Sequence, residues 1–293
     1  MSTLEGTTIG FIGLGLMGRP MARNLHKAGA TMMVTSRSPG PAADLAGEGM
    51  TALATPREVA AASDITILMV TDTSAVDKVL HGPDGVIAGL TPGKTVIDMS
   101  TTKVRETREW GAEVKALGAQ YIDAPVSGGT VGAEAGNLTI MIGADEASLA
   151  AAMPVFEVLG QNITHIGDVG AGQVTKTANQ AIVGMTLAAV AEGLTLATRA
   201  GVDPAKVRTA LLGGFAESRV LDLHGGRMVE RAFEPGGRAS VHHKDILQAL
   251  ELAEQVGLDL LSTRTNLQLW QKMMDRGWQD LDQAGIIRAV EEE

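Results

Sequence analysis

The chain has 293 residues, of which 45% are apolar and 20% charged, with a formal net charge of −10 and no cysteine. That length accommodates two domains of ordinary size, and the composition excludes a disordered chain. The acidic balance argues against a nucleic-acid partner, and the missing cysteines remove disulfides, thiol catalysis and Cys-based metal sites. An anionic small substrate stays allowed, because one pocket can be basic on an acidic protein. Aromatics are only 3%, so the expected core is built from Ala, Val, Leu, Ile and Met.

The N-terminal run MSTLEGTTIGFIGLG has no basic n-region, so the expectation is a cytoplasmic chain without a secretory leader. TTIGFIGLG then reads as an apolar strand entering glycines, and GRPMARNLHKAG as a helix closed by Gly29. ATMMVTSRS is a second strand. ITILMV (65–70) and KTVIDMST (94–101) are two more, separated by the helical stretch TSAVDKVLHGPDGVIAGL. QYIDAPVSGG begins as a strand and ends in a glycine loop, LTIMIGA (138–144) is a strand, and ITHIG (163–167) a short one. Strands alternating with helices indicate a doubly wound, mainly parallel α/β sheet.

From Val169 onward no strand is expected. GQVTKTANQAIVGMTLAAVAEGLTLATRAG reads as one long helix ending at Gly201, followed by helices in DPAKVRTALLGG, KDILQALELAEQVG and LLSTRTNLQLWQKMMDRG. The uncharged run Thr177 to Ala191 is shorter than the roughly 18 apolar residues of a membrane span and contains Asn179 and Gln180, so a buried helix is expected and no membrane partner. The apolar stripe over 181–196 reads as core, Glu192 as a structural or interface residue, and the final AVEEE as a frayed acidic tail. The expected fold class is therefore α/β: an N-terminal doubly wound Rossmann-type domain over 1–167, joined by a long helix to an all-α C-terminal domain over 168–293. Apolar residues on more than one face of that helix point to a homodimer or homotetramer.

Gly13, Gly15 and Gly18, with Leu14, Leu16 and Met17 between them, form GLGLMG between a strand and a helix. The first glycine makes the turn, the second admits a pyrophosphate close to the backbone, and the third packs helix on strand. The end of the second strand selects the dinucleotide. An NAD site carries an acid there; here Ser36 and Arg37 occupy the slot, and a guanidinium suits a 2′-phosphate. NADP(H) is the expected cofactor, with NAD(H) possible.

Three further stretches stand in order: DAPVSGGTVGAEAG (123–136), GAGQVTKTANQ (170–180) and HHKD (242–245). With the glycine motif they resemble the β-hydroxyacid dehydrogenase family, which includes 3-hydroxyisobutyrate and 6-phosphogluconate dehydrogenases. Within it, DAPVSGG…LTIMIG, TKTANQ and the SRVLD run at 218–222 look most like the tartronate semialdehyde reductase subfamily. The resemblance implies Lys176 as catalytic residue, with Asn179 and Gln180 orienting it and the substrate; which amide does more stays open. It implies Ser127, Gly128 and Gly129 as holders of a substrate carboxylate, and Lys244 and Asp245 as approaching cofactor and substrate from the helical domain. Val70, Thr71, Ser74 and Thr101 match cofactor-contacting positions.

Chemistry supports these roles separately. Carbonyl reduction takes a hydride at carbon, supplied by a nicotinamide, and a proton at oxygen, which an ammonium can donate. Burial is expected to lower the lysine pKa toward the working range. The expected function is thus an NADP(H)-dependent oxidoreductase interconverting a short semialdehyde acid and its hydroxyacid, with another small β-hydroxyacid dehydrogenase as first alternative and a non-catalytic dinucleotide-binding protein as a remote one. His242 and His243 are adjacent and cannot both face one metal from a regular element, so no metal is expected. Asp123 reads as a strand-end structural residue. One departure stands out: Gly237 occupies a position where relatives commonly carry an aromatic.

Overall fold

The structure is a computed structural model and describes residues 3–292. Met1, Ser2 and Glu293 lie outside the described residues, and with them the extreme ends of the leader and acidic-tail readings. The chain divides into two compact units, Met1–Lys176 and Thr177–Glu293.

In the first unit the strands are β1 (Thr8–Ile12), β2 (Thr31–Thr35), β3 (Thr51–Ala52), β4 (Ile65–Leu68), β5 (Thr95–Asp98), β6 (Gln120–Asp123), β7 (Val126–Ser127), β8 (Leu138–Gly143) and β9 (Gly160–Gly167). The helices are α1 (Gly18–Lys27), α2 (Pro39–Gly47), α3 (Pro56–Ala62), α4 (Thr73–His81), α5 (Val104–Ala116), α6 (Gly129–Ala135) and α7 (Glu146–Leu159). The strand order is β3-β2-β1-β4-β5-β6-β8-β7, with β9 pairing β8. β1 to β6 are parallel throughout, whereas β8 runs antiparallel to β6 and β7. The Val/Ile/Leu-rich strand sequences reflect a sheet covered on both faces. One apolar cluster gathers Ile9, Phe11, Met21, Leu25, Ile97, Ile122 and Phe156, and a second gathers Val59, Leu68, Val76, Val96, Trp110 and Val114.

The register aligns the strand ends. Ile12 sits opposite Thr35 and Leu68, Leu68 opposite Asp98, and Asp98 opposite Asp123. The segments leaving β1, β2, β4, β5 and β6 therefore all emerge on one edge. In open α/β sheets that carboxyl edge is where ligands bind.

The second helical run begins with α8 (Ala171–Arg199), inside which the division between units falls. It continues with α9 (Pro204–Leu211), α10 (Arg219–Glu230), α11 (Ala239–Gln255), α12 (Leu261–Asp275) and α13 (Ile286–Glu291). Asp203 and Ser218 cap α9 and α10 through their side chains. The helical core holds Leu187, Leu194, Met228, Ile246, Trp270, Met273 and Ile286. Asp282, fully buried, ties down the loop before α11: its carboxylate takes Arg227 at 2.7 Å and the N–H groups of Gly236 and Gly237 at 2.9 and 3.2 Å. Burial alone would raise the Asp282 carboxyl, but His224, the Ala284 N–H and Arg227 outweigh it and hold the carboxyl low.

Several expectations need correction. The glycine loop after β6 is short, because Gly129 already starts α6. The helical stretch after β4 is broken: α4 ends at His81, and a separate 3-10 turn covers Val86–Gly89, since Gly82 and Pro83 interrupt the ladder. Helix α11 starts at Ala239, so Lys244 and Asp245 lie within it rather than at its start. The acidic tail is not frayed over its described part, because Ala289 is buried and Glu291 pairs with Arg231 at 2.7 Å. The stripe over 181–196 is core only in part: Leu187, Ala191 and Leu194 are buried, but Ile182 and Leu196 are 61% and 73% exposed. By length and composition α8 is long and apolar enough to cross a membrane once an isolated charge is admitted, a point the uncharged run alone understated.

Candidate active site

The turn after β1 has the features that suit a phosphate. Gly13 has φ +102°, and a Cβ there would lie 2.3 Å from the Met69 carbonyl oxygen. A Cβ on Gly18 would lie 2.0 Å from the Gly13 carbonyl oxygen, so this glycine lets α1 close on the turn. Gly15 is different: nothing of the protein lies within 4 Å of where its Cβ would be. The fold itself does not need a glycine there; a ligand approaching the backbone does. Helix α1 also has no side-chain cap and no acidic residue in its first turn, so its N-terminal N–H groups and positive dipole end suit an anion. Leu14 is buried and anchors the loop, while Leu16 is exposed.

The other nominated cofactor positions follow neighbouring strands on the same edge. Ser36 and Arg37 follow β2, with Arg37 exposed. Val70, Thr71 and Ser74 follow β4, and the Val70 N–H donates to Ser100 Oγ at 3.0 Å. Thr101 follows β5. Ser127 ends β7, and Gly128 and Gly129 carry φ of +138° and +61°, a backbone that only glycine adopts readily. Topology therefore gathers these groups along one edge of the first unit.

Lys176 lies in α8 and is only 7% exposed. A buried lysine is unusual, and functional sites are where such groups concentrate. Asn179 and Gln180 follow on the same helix at the spacing that shares a face. Asn179 Nδ2 donates to Gln180 Oε1 at 2.8 Å, and Gln180 Nε2 donates to Asp245 of α11. Lys244 pairs with Asp245 at 2.8 Å. His242 stacks on Trp270 with ring centroids 4.6 Å apart, and His243 meets Gln271 at 3.1 Å, so the two histidines face different neighbours. Glu192 is exposed. At Gly237 a Cβ would lie 2.5 Å from Gln283 Nε2, the movable end of a side chain.

Residue-by-residue reading missed a buried polar cluster beneath this edge. Asp98 accepts from the Ser100 N–H at 2.9 Å and, more weakly, from Tyr121 Oη at 3.3 Å. Burial raises the Asp98 carboxyl; burial, together with the Asp98 and Asp123 charges, raises Tyr121 well above its usual value. Asp123 accepts from the Gly170 and Gln173 N–H groups at 2.6 and 2.8 Å. Burial pushes its carboxyl up to about 6 although those two donors pull it down. The sequence carries no local signal for the Gln173 contacts, whose partners lie 71 and 73 residues away.

Residues 8–167 match the family described as the NAD binding domain of 6-phosphogluconate dehydrogenase. Residues 170–290 match the family described as NAD-binding of NADP-dependent 3-hydroxyisobutyrate dehydrogenase. The chain belongs to the β-hydroxyacid dehydrogenase family. This dehydrogenase is 46% identical over 97% of both chains to 2-hydroxy-3-oxopropionate reductase of Escherichia coli (strain K12). It is 35% identical to 2-(hydroxymethyl)glutarate dehydrogenase of Eubacterium barkeri over 97% of its own chain and 95% of that protein. Among solved structures, 3-hydroxyisobutyrate dehydrogenase from Salmonella typhimurium superposes with a TM-score of 0.89 at 29% identity, covering 96% of this chain and 99% of that one. The dehydrogenase is thus an NAD(P)-dependent enzyme of the hydroxyacid class, and the non-catalytic alternative falls away.

Proposed function

We propose that the chain is an NADP(H)-dependent reductase of a short semialdehyde acid, with 2-hydroxy-3-oxopropionate (tartronate semialdehyde) as substrate and Lys176 as general acid. The observation that carries this reading is a buried lysine, 7% exposed, on the helix that leaves a dinucleotide-binding unit. When bound, a reduced nicotinamide supplies the hydride. The chain's own residues then have three tasks. Gly13 to Gly18 and the N-terminus of α1 hold the pyrophosphate, with Arg37 on the ribose 2′-phosphate. The hydroxyl of Ser127 and the backbone of Gly128 and Gly129 hold the substrate carboxylate. Lys176 Nζ would give a proton to the carbonyl oxygen on reduction and recover it in the reverse direction. Asn179, Gln180, Lys244 and Asp245 orient the lysine, the substrate and the cofactor.

The substrate choice rests on the 46% identity to the reductase of Escherichia coli and on TKTANQ. A second reading, 3-hydroxyisobutyrate dehydrogenase, is supported by the structural likeness to that enzyme, with a TM-score of 0.89. Exposed Ile182 and Leu196 on α8 support a homodimer or homotetramer. The deciding experiment is steady-state kinetics with NADPH and NADH against tartronate, methylmalonate and succinic semialdehydes. A higher kcat/KM for NADPH with tartronate semialdehyde is expected; a clear preference for methylmalonate semialdehyde moves the assignment to the second reading.

A further inference from the structure

Gln173 is fully buried in the first turn of α8. Its side-chain amide is shared between two peptides of the segment after β5. Nε2 donates to the Ser100 carbonyl at 2.8 Å, and Oε1 accepts from the Thr102 N–H at 3.1 Å. These peptides flank Thr101, so one residue is held from both sides. An uncharged amide suits this task because it puts a donor and an acceptor on neighbouring atoms; a carboxylate lacks the donor and an ammonium lacks the acceptor.

The other end of Gln173 is held as firmly. Its backbone N–H donates to Asp123 Oδ2 at 2.8 Å, and the Gly170 N–H donates to Oδ1 at 2.6 Å. Space for this carboxylate is left by two glycines: a Cβ on Gly143 or Gly172 would lie 2.3 or 2.8 Å from an Asp123 oxygen. Ser100 in turn receives the Val70 N–H at 3.0 Å, which extends the grip to the end of β4. Lys176 follows Gln173 by three residues, on the same helical face. All of these groups belong to the first unit.

We propose that Gln173 is a positioning residue for the reduction: by gripping both peptides around Thr101 within one turn of Lys176, it locks the segment after β5 and the proton donor into one rigid piece. This rests on the reading of Lys176 as proton donor and of Thr101 as a cofactor contact. Reacting groups need near-attack geometry, and a shift of about 1 Å can cost ~10²-fold in rate.

The test is the pre-steady-state burst of tartronate semialdehyde reduction, at saturating NADPH and aldehyde, followed by loss of NADPH absorbance. Gln173→Met keeps length and removes the donor; Gln173→Glu keeps an acceptor for Thr102 and serves if the Met variant does not fold. The rate constant is expected to fall ~10–100-fold in Met and less in Glu, with wild-type amplitude in the folded protein. A merely structural role lowers the amplitude and leaves the rate constant of the active fraction unchanged, and that result overturns the proposal. Lys176→Ala is run beside them. If it loses turnover while the Gln173 variants keep the wild-type rate constant, only the positioning role fails. If Lys176→Ala keeps the wild-type rate constant, the proton donor is wrong and the positioning role falls with it.

Discussion

Asp245 accepts a hydrogen bond from the side-chain amide of Gln180. A carboxylate can only accept, so it turns the Gln180 nitrogen toward itself and the oxygen toward Asn179, whose Nδ2 donates to it at 2.8 Å. Asn179 is therefore left with its oxygen at the end of the chain, and the two amides act in series rather than as alternatives. Asp245→Ala is expected to lower kcat by ~10-fold or more, because a charge-assisted bond of about 1.5–3 kcal/mol is lost. Asp245→Asn, which keeps an acceptor, should lose less. Equal losses in steady-state kinetics would mean that the Lys244 pair, not the amide chain, is what matters.

Lys176→Ala is expected to lower kcat by at least ~10²-fold, the low end of general acid catalysis, with the NADPH dissociation constant nearly unchanged. Fluorescence titration and initial rates measure the two quantities independently. Near-normal turnover in this variant rules out the proposed acid.

The three glycines of the first turn should separate by function. Gly15→Val, where the fold leaves open space, is expected to retain the wild-type melting temperature and lose cofactor binding. Gly13→Val, where a Cβ would meet the Met69 carbonyl at 2.3 Å, should lose stability first. Thermal melts with and without NADPH distinguish the two outcomes.

Arg37→Ala tests cofactor choice. Loss of a charged contact to the 2′-phosphate is expected to raise KM for NADPH by ~10–100-fold and leave KM for NADH within about 3-fold. Equal effects on both cofactors would place Arg37 away from the ribose.

Asp123 is expected to give stability a pH dependence of definite sign. Burial holds its carboxyl up at about 6, with Asp98 pushing it higher and the Gly170 and Gln173 N–H groups opposing. The native state thus keeps this proton to higher pH than the unfolded chain. The stabilisation is full below about pH 4 and is lost as the pH rises through about 6. Urea unfolding between pH 4 and 7 should show wild type losing on the order of 1–3 kcal/mol relative to Asp123→Asn across that window. A pH-independent difference would mean that Asp123 titrates normally.

Much of this molecule is legible along the chain because its signals are local. The strand–glycine–helix turn at Gly13, the missing acid at Ser36–Arg37 and the apolar strands each need only a few neighbouring residues to interpret. The helix start at Gly129 was less legible, since glycine normally signals a loop. The break between α4 and the 3-10 turn is written in Gly82 and Pro83, although the helical pattern continues on both sides of them. Gln173 was harder still: its partners lie 71 and 73 residues away, so no local pattern marks it.

By itself the sequence determined the α/β-then-all-α order and the glycine turn after β1, because hydrophobic period and turn chemistry are properties of short segments; Lys176 came from the family resemblance. Only the tertiary structure decided the contacts around the first turn of α8. Parallel register sets Asp98 beside Asp123, burial in the low-dielectric interior lifts the Asp123 carboxyl, and the amide of Gln173 closes on Ser100 and Thr102. Such long-range contacts exist only once the sheet is assembled, and they tie a glutamine of α8 and a strand-end aspartate to segments far away in the chain.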